Sequence, residues 1–380
     1  MTDQAAHTGP LLLQPLVLAG VTLRNRIAVA PMCQYRAVDG MPLDWHLIQL
    51  GRFAIGGNGL VIAEATAVEA RGRITHGCTG IWNDEQARAW ARIADFLKAN
   101  GSVAGMQLAH AGRKASTRRP WEGGGPLTDV ERAKGELDWQ TVAPSAIPFG
   151  DWSSPHALTT AELGELLVAW RQAAQRTVDA GFDMVEVHAA HGYLIHSFLS
   201  PLSNHRIDAY GGDLEGRMRF PLEVVETVRA VWPKDRILSV RISATDWTEG
   251  GWTIEDSVVL AKALKERGVD LVHCSSGGNV PVAPKVEPSY QVPFAEQVRR
   301  EAQVATVAVG AIMTPKQAEA ILQAGQADLI AMARAAVGDP NWPVRAHEAL
   351  APDASFDAWP FNVRYVLDAR DKLMKRSGLL

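Results

Sequence analysis

The segment Asp179-Ala180-Gly181-Phe182-Asp183, followed by Met184-Val185-Glu186-Val187-His188, decides how this chain folds. A glycine just past the last turn of a helix accepts the left-handed conformation that ends it. The apolar run behind it is unbroken rather than alternating, which marks a strand buried on both faces. The same phrase returns at Arg267-Gly268-Val269-Asp270 before Leu271-Val272-His273-Cys274. It returns again at Ala324-Gly325-Gln326-Ala327-Asp328 before Leu329-Ile330-Ala331-Met332. Gly59 before Leu60-Val61-Ile62-Ala63-Glu64 is a looser copy. Repeated helix-to-strand units build parallel sheets.

Extending the pattern along the chain gives eight strands, at 26–31, 60–66, 103–109, 184–188, 238–243, 271–276, 305–310 and 328–333. Asn83 or Asp84 can cap a helix over 85–99 that Gly101 ends, and Thr159 with Glu162 forms a capping box for 160–179. Thr314, Pro315 and Gln317 predict a third helix start with a second capping box. Eight such units in 380 residues predict an α/β fold, a single (β/α)8 TIM barrel forming one domain over 1–380. An open doubly wound sheet is the alternative, but neither its G-x-G-x-x-G fingerprint nor a P-loop string occurs. About 75 residues separate the third and fourth strands. Within them, 113–158 is rich in Gly, Pro and Trp and is read as a capping excursion from the catalytic end of the barrel, with a passive insertion as the alternative. Residues 1–25 are expected to close the barrel bottom, and 338–380 to form a C-terminal extension.

Composition excludes several classes. The chain is 47% hydrophobic and 21% charged, as in ordinary globular proteins. Lys+Arg number 38 against 42 Asp+Glu, a net charge of -4 that predicts no nucleic-acid partner. No run approaches ~18 apolar residues, so no membrane partner is expected. The first ten residues lack a signal-peptide pattern, and Cys33, Cys78 and Cys274 are scattered, which predicts a reduced, cytoplasmic protein.

In a barrel, polar residues just past each strand converge on one mouth. The first strand contributes Ala30-Pro31-Met32-Cys33 and Tyr35, the second Glu64, Ala65 and Thr66, and the third Gln107 and His110. The fourth contributes His188, His191 and Tyr193, the fifth Arg241, the seventh Gly310, and the eighth Arg334. If the strand ends near His188 and a helical turn follows, both imidazoles can face one carbonyl oxygen and stabilise charge building on it. Tyr193 can then supply a proton. Two structural histidines, or a metal site completed by His196, are the alternatives. Arg241 ends a buried strand and needs an anionic or acceptor partner; a salt bridge to Glu64 or Glu186 is the plain reading. Gly310 and Arg334 occupy the usual phosphate position of such barrels, which predicts a phosphate-bearing cofactor.

Taken together, five motifs resemble the Old Yellow Enzyme family, and within it the Cys-containing subgroup of thermophilic-like and xenobiotic reductases. They are Asn25-Arg26-Ile27 with Ala30 to Tyr35; Glu64 to Val68 with Gly72-Arg73-Ile74; Gln107 to Lys114; His188-x-x-His191-Gly192-Tyr193; and Asn204-His205-Arg206 through Gly212 with Arg217 and Arg219. The resemblance implies FMN as cofactor, NADPH or NADH as reductant and an activated alkene as the small-molecule substrate. It also implies a homo-oligomer, a dimer or tetramer. Carried over position by position, Ala30, Pro31, Met32, Cys33 and Ala65 would line the flavin ring. Gln107 would bind the pyrimidine edge and Arg241 the region where reduced flavin carries charge. Gly310, Ala333 and Arg334 would hold the phosphate. Catalysis would fall to Tyr193, His188, His191 and Cys33, with Tyr35 lining the substrate pocket beside His188, His191 and Tyr193. Ala333 stands where relatives commonly have Gly, and Val309 where one branch has an aromatic wall, implying a roomier pocket. Arg364 and Tyr365 are the candidates to reach a neighbouring subunit's site. Nitro-group reduction or small-amine demethylation on the same scaffold is the alternative activity. A non-catalytic phosphate-ligand binder and a metal hydrolase stand further off.

Overall fold

A computed structural model describes residues 9–352 and 358–379. Parts of the expected N-terminal plug (1–8) and C-terminal extension (353–357 and 380) lie outside the described residues. The eight strands close into one parallel barrel in chain order. They are β1 Ile27–Val29, β2 Leu60–Ala67, β3 Val103–Ala109, β4 Met184–Ala189, β5 Ile237–Ser243, β6 Leu271–Ser275, β7 Ala305–Ala308 and β8 Leu329–Met332. All eight predicted strands are present; β1, β6, β7 and β8 end one or two residues early because their ladders end there.

The recurring Gly-Asp phrase has two separate jobs. Gly181, Gly268 and Gly325 all adopt positive φ, +79°, +77° and +69°, at the ends of helices. The aspartate that follows clasps the strand before it. Asp183 N–H donates to the Ala104 carbonyl, and its Oδ2 accepts from the Ala104 amide at 3.4 Å. Asp270 does the same to Leu238 at 2.9 Å, and Asp328 to Thr306 at 2.9 Å. These clasps join β3 to β4, β5 to β6 and β7 to β8. Gly59 is no copy of this device. Its φ is not positive, and a Cβ there would lie 2.4 Å from the Asn25 carbonyl oxygen, so close backbone approach requires it.

Asn83 caps the helix Asp84–Ala99, and Thr159 and Glu162 form the expected capping box of Thr160–Asp179. Thr314 caps Pro315–Gln323, but Gln317 completes no box: it accepts from the Met313 amide and donates to the Ala311 carbonyl. An antiparallel hairpin, Leu16–Leu18 with Val21–Leu23, packs on the cluster formed by Leu60, Val103, Met184, Ile237 and Leu271 at the strand starts. The barrel bottom is thereby closed, and the open end is the C-terminal one.

The excursion leaves the end of β3 and returns over the mouth. Its Trp121 meets Tyr35 edge-on at 5.8 Å, and the Trp139 indole donates to the Arg71 carbonyl at 2.9 Å. No helix among the described residues is long and apolar enough to cross a membrane.

Candidate active site

The β4 end does not turn helically after His188. His191 adopts φ +60° and Gly192 φ +72°, and a helix starts only at Leu194. This left-handed kink swings the His191 ring round to His188, 5.2 Å away centre to centre and nearly perpendicular. The Tyr193 ring lies 5.1 Å from His188, again edge-on. A left-handed conformation is costly for a residue with a Cβ. Three contacts hold it: the His191 amide donates to Ser243 Oγ at 2.9 Å, its carbonyl accepts from Lys114 Nζ at 2.9 Å, and its Nε2 lies 2.7 Å from Ser275 Oγ.

Burial, with the Arg241 cation close by, holds both imidazoles well below the usual histidine range, so both are neutral at pH 7. The Ala190 amide donates to His188 Nδ1, which leaves the proton of that neutral ring on Nε2. Burial also raises the Tyr193 and Tyr35 phenols, which therefore keep their protons. Cys33 is a neutral thiol for the same reason; it bonds the Ala65 backbone and the Tyr35 side chain. A small cavity beside Tyr193 is lined by Ala65, Ile74, Cys78 and Ala111.

The expected salt bridge of Arg241 is not formed. Glu64 pairs instead with His46 at 3.1 Å, and Glu186 with His273 at 3.0 Å. Among the described residues the Arg241 Nε has no hydrogen-bond partner, and the residue is only 8% exposed. Such a group needs an acceptor. Gln107 donates to Glu186 Oε1 at 2.8 Å. Gly310 has φ +112°, and a Cβ there would meet the Gln291 amide at 2.4 Å. Ala333 precedes the short helix Arg334–Gly338, and the Arg334 side chain is exposed. Tyr290 lies within electrostatic reach of both Arg334 and Arg241. Buried donor, glycine cradle and exposed cation fit an aromatic cofactor carrying a phosphate.

The structure thus gathers Cys33, Tyr35, Ala65, Gln107, His188, His191, Tyr193 and Arg241 at one barrel end. His196 turns away from it: its Nδ1 accepts from the Gly192 amide, and its Nε2 lies 3.1 Å from the buried Asp246. His110 also leaves the site, paired with Glu69 at 2.8 Å. Val309 is buried just past the end of β7, where its carbonyl accepts from Gln291 Nε2 at 2.9 Å. Arg364 and Tyr365 lie on the terminal helix Phe361–Arg376, where Tyr365 is exposed. Sequence reading missed Ser275, the end of β6, because no residue was collected from that strand. It also gave Lys114 no role. Lys114 Nζ bonds the His191 and Gly278 carbonyls and sits 4.4 Å over the Phe149 ring, and burial beside Arg113 brings its pKa down to about 8.

The chain is similar to known proteins over most of its length. The signature described as the NADH:flavin oxidoreductase / NADH oxidase family matches residues 11–353. The NADPH dehydrogenase of Geobacillus sp. (strain WCH70) is 45% identical over 348 residues, spanning 91% of this chain and 96% of that one. The NADPH dehydrogenase of Bacillus subtilis (strain 168) is 45% identical over 332 residues, 87% and 92% of the two chains. Morphinone reductase superposes with a TM-score of 0.75 at 31% identity over 91% of each chain. The old yellow enzyme homologue from Zymomonas mobilis superposes with a TM-score of 0.73 at 28% identity, over 90% of this chain and 93% of that one.

Proposed function

Because the chain belongs to the NADH:flavin oxidoreductase / NADH oxidase family, and so is an NAD(P)H-dependent FMN oxidoreductase, we propose that it reduces the carbon–carbon double bond of α,β-unsaturated carbonyl compounds. The observation that carries this reading is the ring cluster of two neutral imidazoles and a protonated phenol, His188, His191 and Tyr193. The imidazole N–H groups hold the substrate carbonyl oxygen and stabilise the negative charge that develops on it. Tyr193 gives its proton to Cα. FMN, once bound and reduced by NAD(P)H, would supply the hydride for Cβ. Tyr35 lines the pocket, and the neutral Cys33 thiol borders the flavin without offering a competing nucleophile.

For the cofactor, Ala30, Pro31, Met32, Cys33 and Ala65 line the ring and Gln107 binds its pyrimidine edge. The unpartnered Arg241 takes the acceptor that burial demands. Gly310, Ala333 and Arg334 hold the phosphate, with 1–380 acting as one FMN-binding unit. The nicotinamide and the alkene use the same mouth in turn, so parallel double-reciprocal lines are expected. The enzyme works in the cytoplasm as a dimer or tetramer; Phe361 and Tyr365, exposed on the terminal helix, suit contact with a second copy.

The test is the visible spectrum of the purified protein during anaerobic NADPH addition and then cyclohexenone. Bleaching followed by recovery of the yellow colour supports the proposal. Bleaching without recovery moves the substrate to nitro compounds or small amines, which a nitroester assay then separates. A protein that stays colourless with added FMN overturns the site assignments.

A further inference from the structure

Glu186 is a buried charge that the reading above leaves without a task. It sits inside the barrel on β4, with no exposed surface. Its Oε1 accepts from Gln107 Nε2 at 2.8 Å. Its Oε2 accepts from Ser239 Oγ at 3.2 Å and lies 3.0 Å from His273 Nδ1. Strand register sets Gln107, Glu186 and Ser239 side by side, with His188, Arg241 and His273 in a second row two residues nearer the mouth. Burial alone would raise the carboxyl pKa, but His273, Arg241 and Gln107 outweigh it and keep Glu186 ionised.

An ionised carboxylate only accepts hydrogen bonds. Gln107 must therefore turn its NH2 end towards Glu186, and its carbonyl oxygen faces away. The two ends of a glutamine amide are otherwise nearly interchangeable in shape. Glu186 is also the foremost opposite charge acting on Arg241, which has no ion pair within 4.0 Å among the described residues.

We propose that Glu186 is a positioning residue of the cofactor site, orienting Gln107 towards the imide edge of the flavin and offsetting the Arg241 charge that favours reduced flavin. The imide edge presents an N–H flanked by carbonyls, which the outward carbonyl and remaining N–H of Gln107 complement. This inference rests on the FMN assignment above. Glu186→Gln removes the charge, keeps the shape and frees the Gln107 amide to flip.

The measurements are FMN release from the diluted holoenzyme, followed by flavin fluorescence, and the flavin midpoint potential. Glu186→Gln should release FMN at least about tenfold more readily. It should also move the midpoint positive by about 30 mV, a tenfold change in the oxidised-to-reduced ratio of a two-electron couple. In a Gln107→Met background the same substitution should change FMN release less than threefold while the potential shift persists. Glu186→Asp, which keeps the charge on a shorter arm, should loosen FMN without the potential shift. Native FMN release and potential in Glu186→Gln, additive effects with Gln107→Met, or an equal potential shift in Glu186→Asp would each overturn the inference. A wild-type protein that holds no FMN would instead bring down the reading beneath it.

Discussion

Tyr193 caps no amide of the helix it precedes, so its hydroxyl has no structural hydrogen bond to lose there. Its ring packs on His188 and lies under the Lys114 ammonium, 5.3 Å from its centre. Tyr193→Phe keeps that packing and removes only the proton. Flavin reduction by NADPH should stay within about twofold, while reoxidation by an enone should slow by roughly 10²-fold, the low end for a lost general acid. Stopped-flow measurement of the two half-reactions separates them, and equal loss in both would remove Tyr193 from the donor role. Asp246 makes a different residue-scale argument. Burial alone would raise its pKa, but His196, Ser200 and the Trp252 amide outweigh it and bring it down to about 2. The carboxylate is favoured in the folded state, so its contribution is complete above the unfolded value near 4 and is lost as pH falls towards 2. The difference amounts to roughly 2 kcal/mol. Urea titrations from pH 5 to 2 should show that slope in the wild type and a flatter one in Asp246→Asn.

At the scale of elements, the aspartate clasps explain why the helix-to-strand phrase repeats. The second amide of each partner strand finds an acceptor in the next unit, one residue before the pairing between the two strands begins. Asp270→Ala leaves the Leu238 amide unpaired at a buried strand start and also removes the 3.7 Å pair with Arg229. A cost of about 1–3 kcal/mol is expected, with Asp270→Asn losing less because an acceptor remains. Urea denaturation together with amide exchange at Leu238 tests it; unchanged exchange in Asp270→Ala would refute the clasp. The barrel was legible because buried parallel strands are unbroken apolar runs and the helix-ending glycines sit at fixed offsets from them. The clasps were visible as a recurring Asp, but their partner lies on another strand, and sequence carries no register. The mouth residues were legible through the strand-end rule. His191 needed more: its left-handed backbone is imposed by Ser243 and Ser275 at the ends of β5 and β6 and by Lys114 after β3. Glu186 read only as a salt-bridge candidate for Arg241, and the register of β3, β4 and β5 is what reveals its neighbours Gln107 and Ser239.

At the scale of the molecule, the mouth is one connected polar network bridging loops that are far apart in sequence. Arg113, 3% exposed, is the joint. Its Nη2 donates to the Asn279 carbonyl at 2.6 Å and to Asn279 Oδ1 at 2.9 Å, on the loop after β6. Its Nη1 donates to the Ile147 and Pro148 carbonyls, both at 3.2 Å, within the excursion. Asn279 Oδ1 also accepts from Ser203 Oγ at 3.2 Å, and its Nδ2 donates to Asp246 Oδ2 at 3.4 Å. The excursion is thus tied to the same network that places His196 behind the His188–Tyr193 turn. Arg113→Met fills a similar volume and removes all four charge-assisted bonds, leaving buried carbonyls unpaired. The excursion should then open locally at far lower cost than the barrel, because it has little apolar core of its own. Hydrogen exchange should quicken by at least tenfold over 143–152 while β3 to β5 stay protected, and KM for an enone should rise more than kcat falls. The adjacent Lys114, whose contacts reach His191 directly, serves as the contrast. Its substitution by Met should lower kcat and ligand affinity with exchange in 143–152 nearly unchanged. Were both variants to loosen the excursion alike, Arg113 would be one of several supports and not the joint.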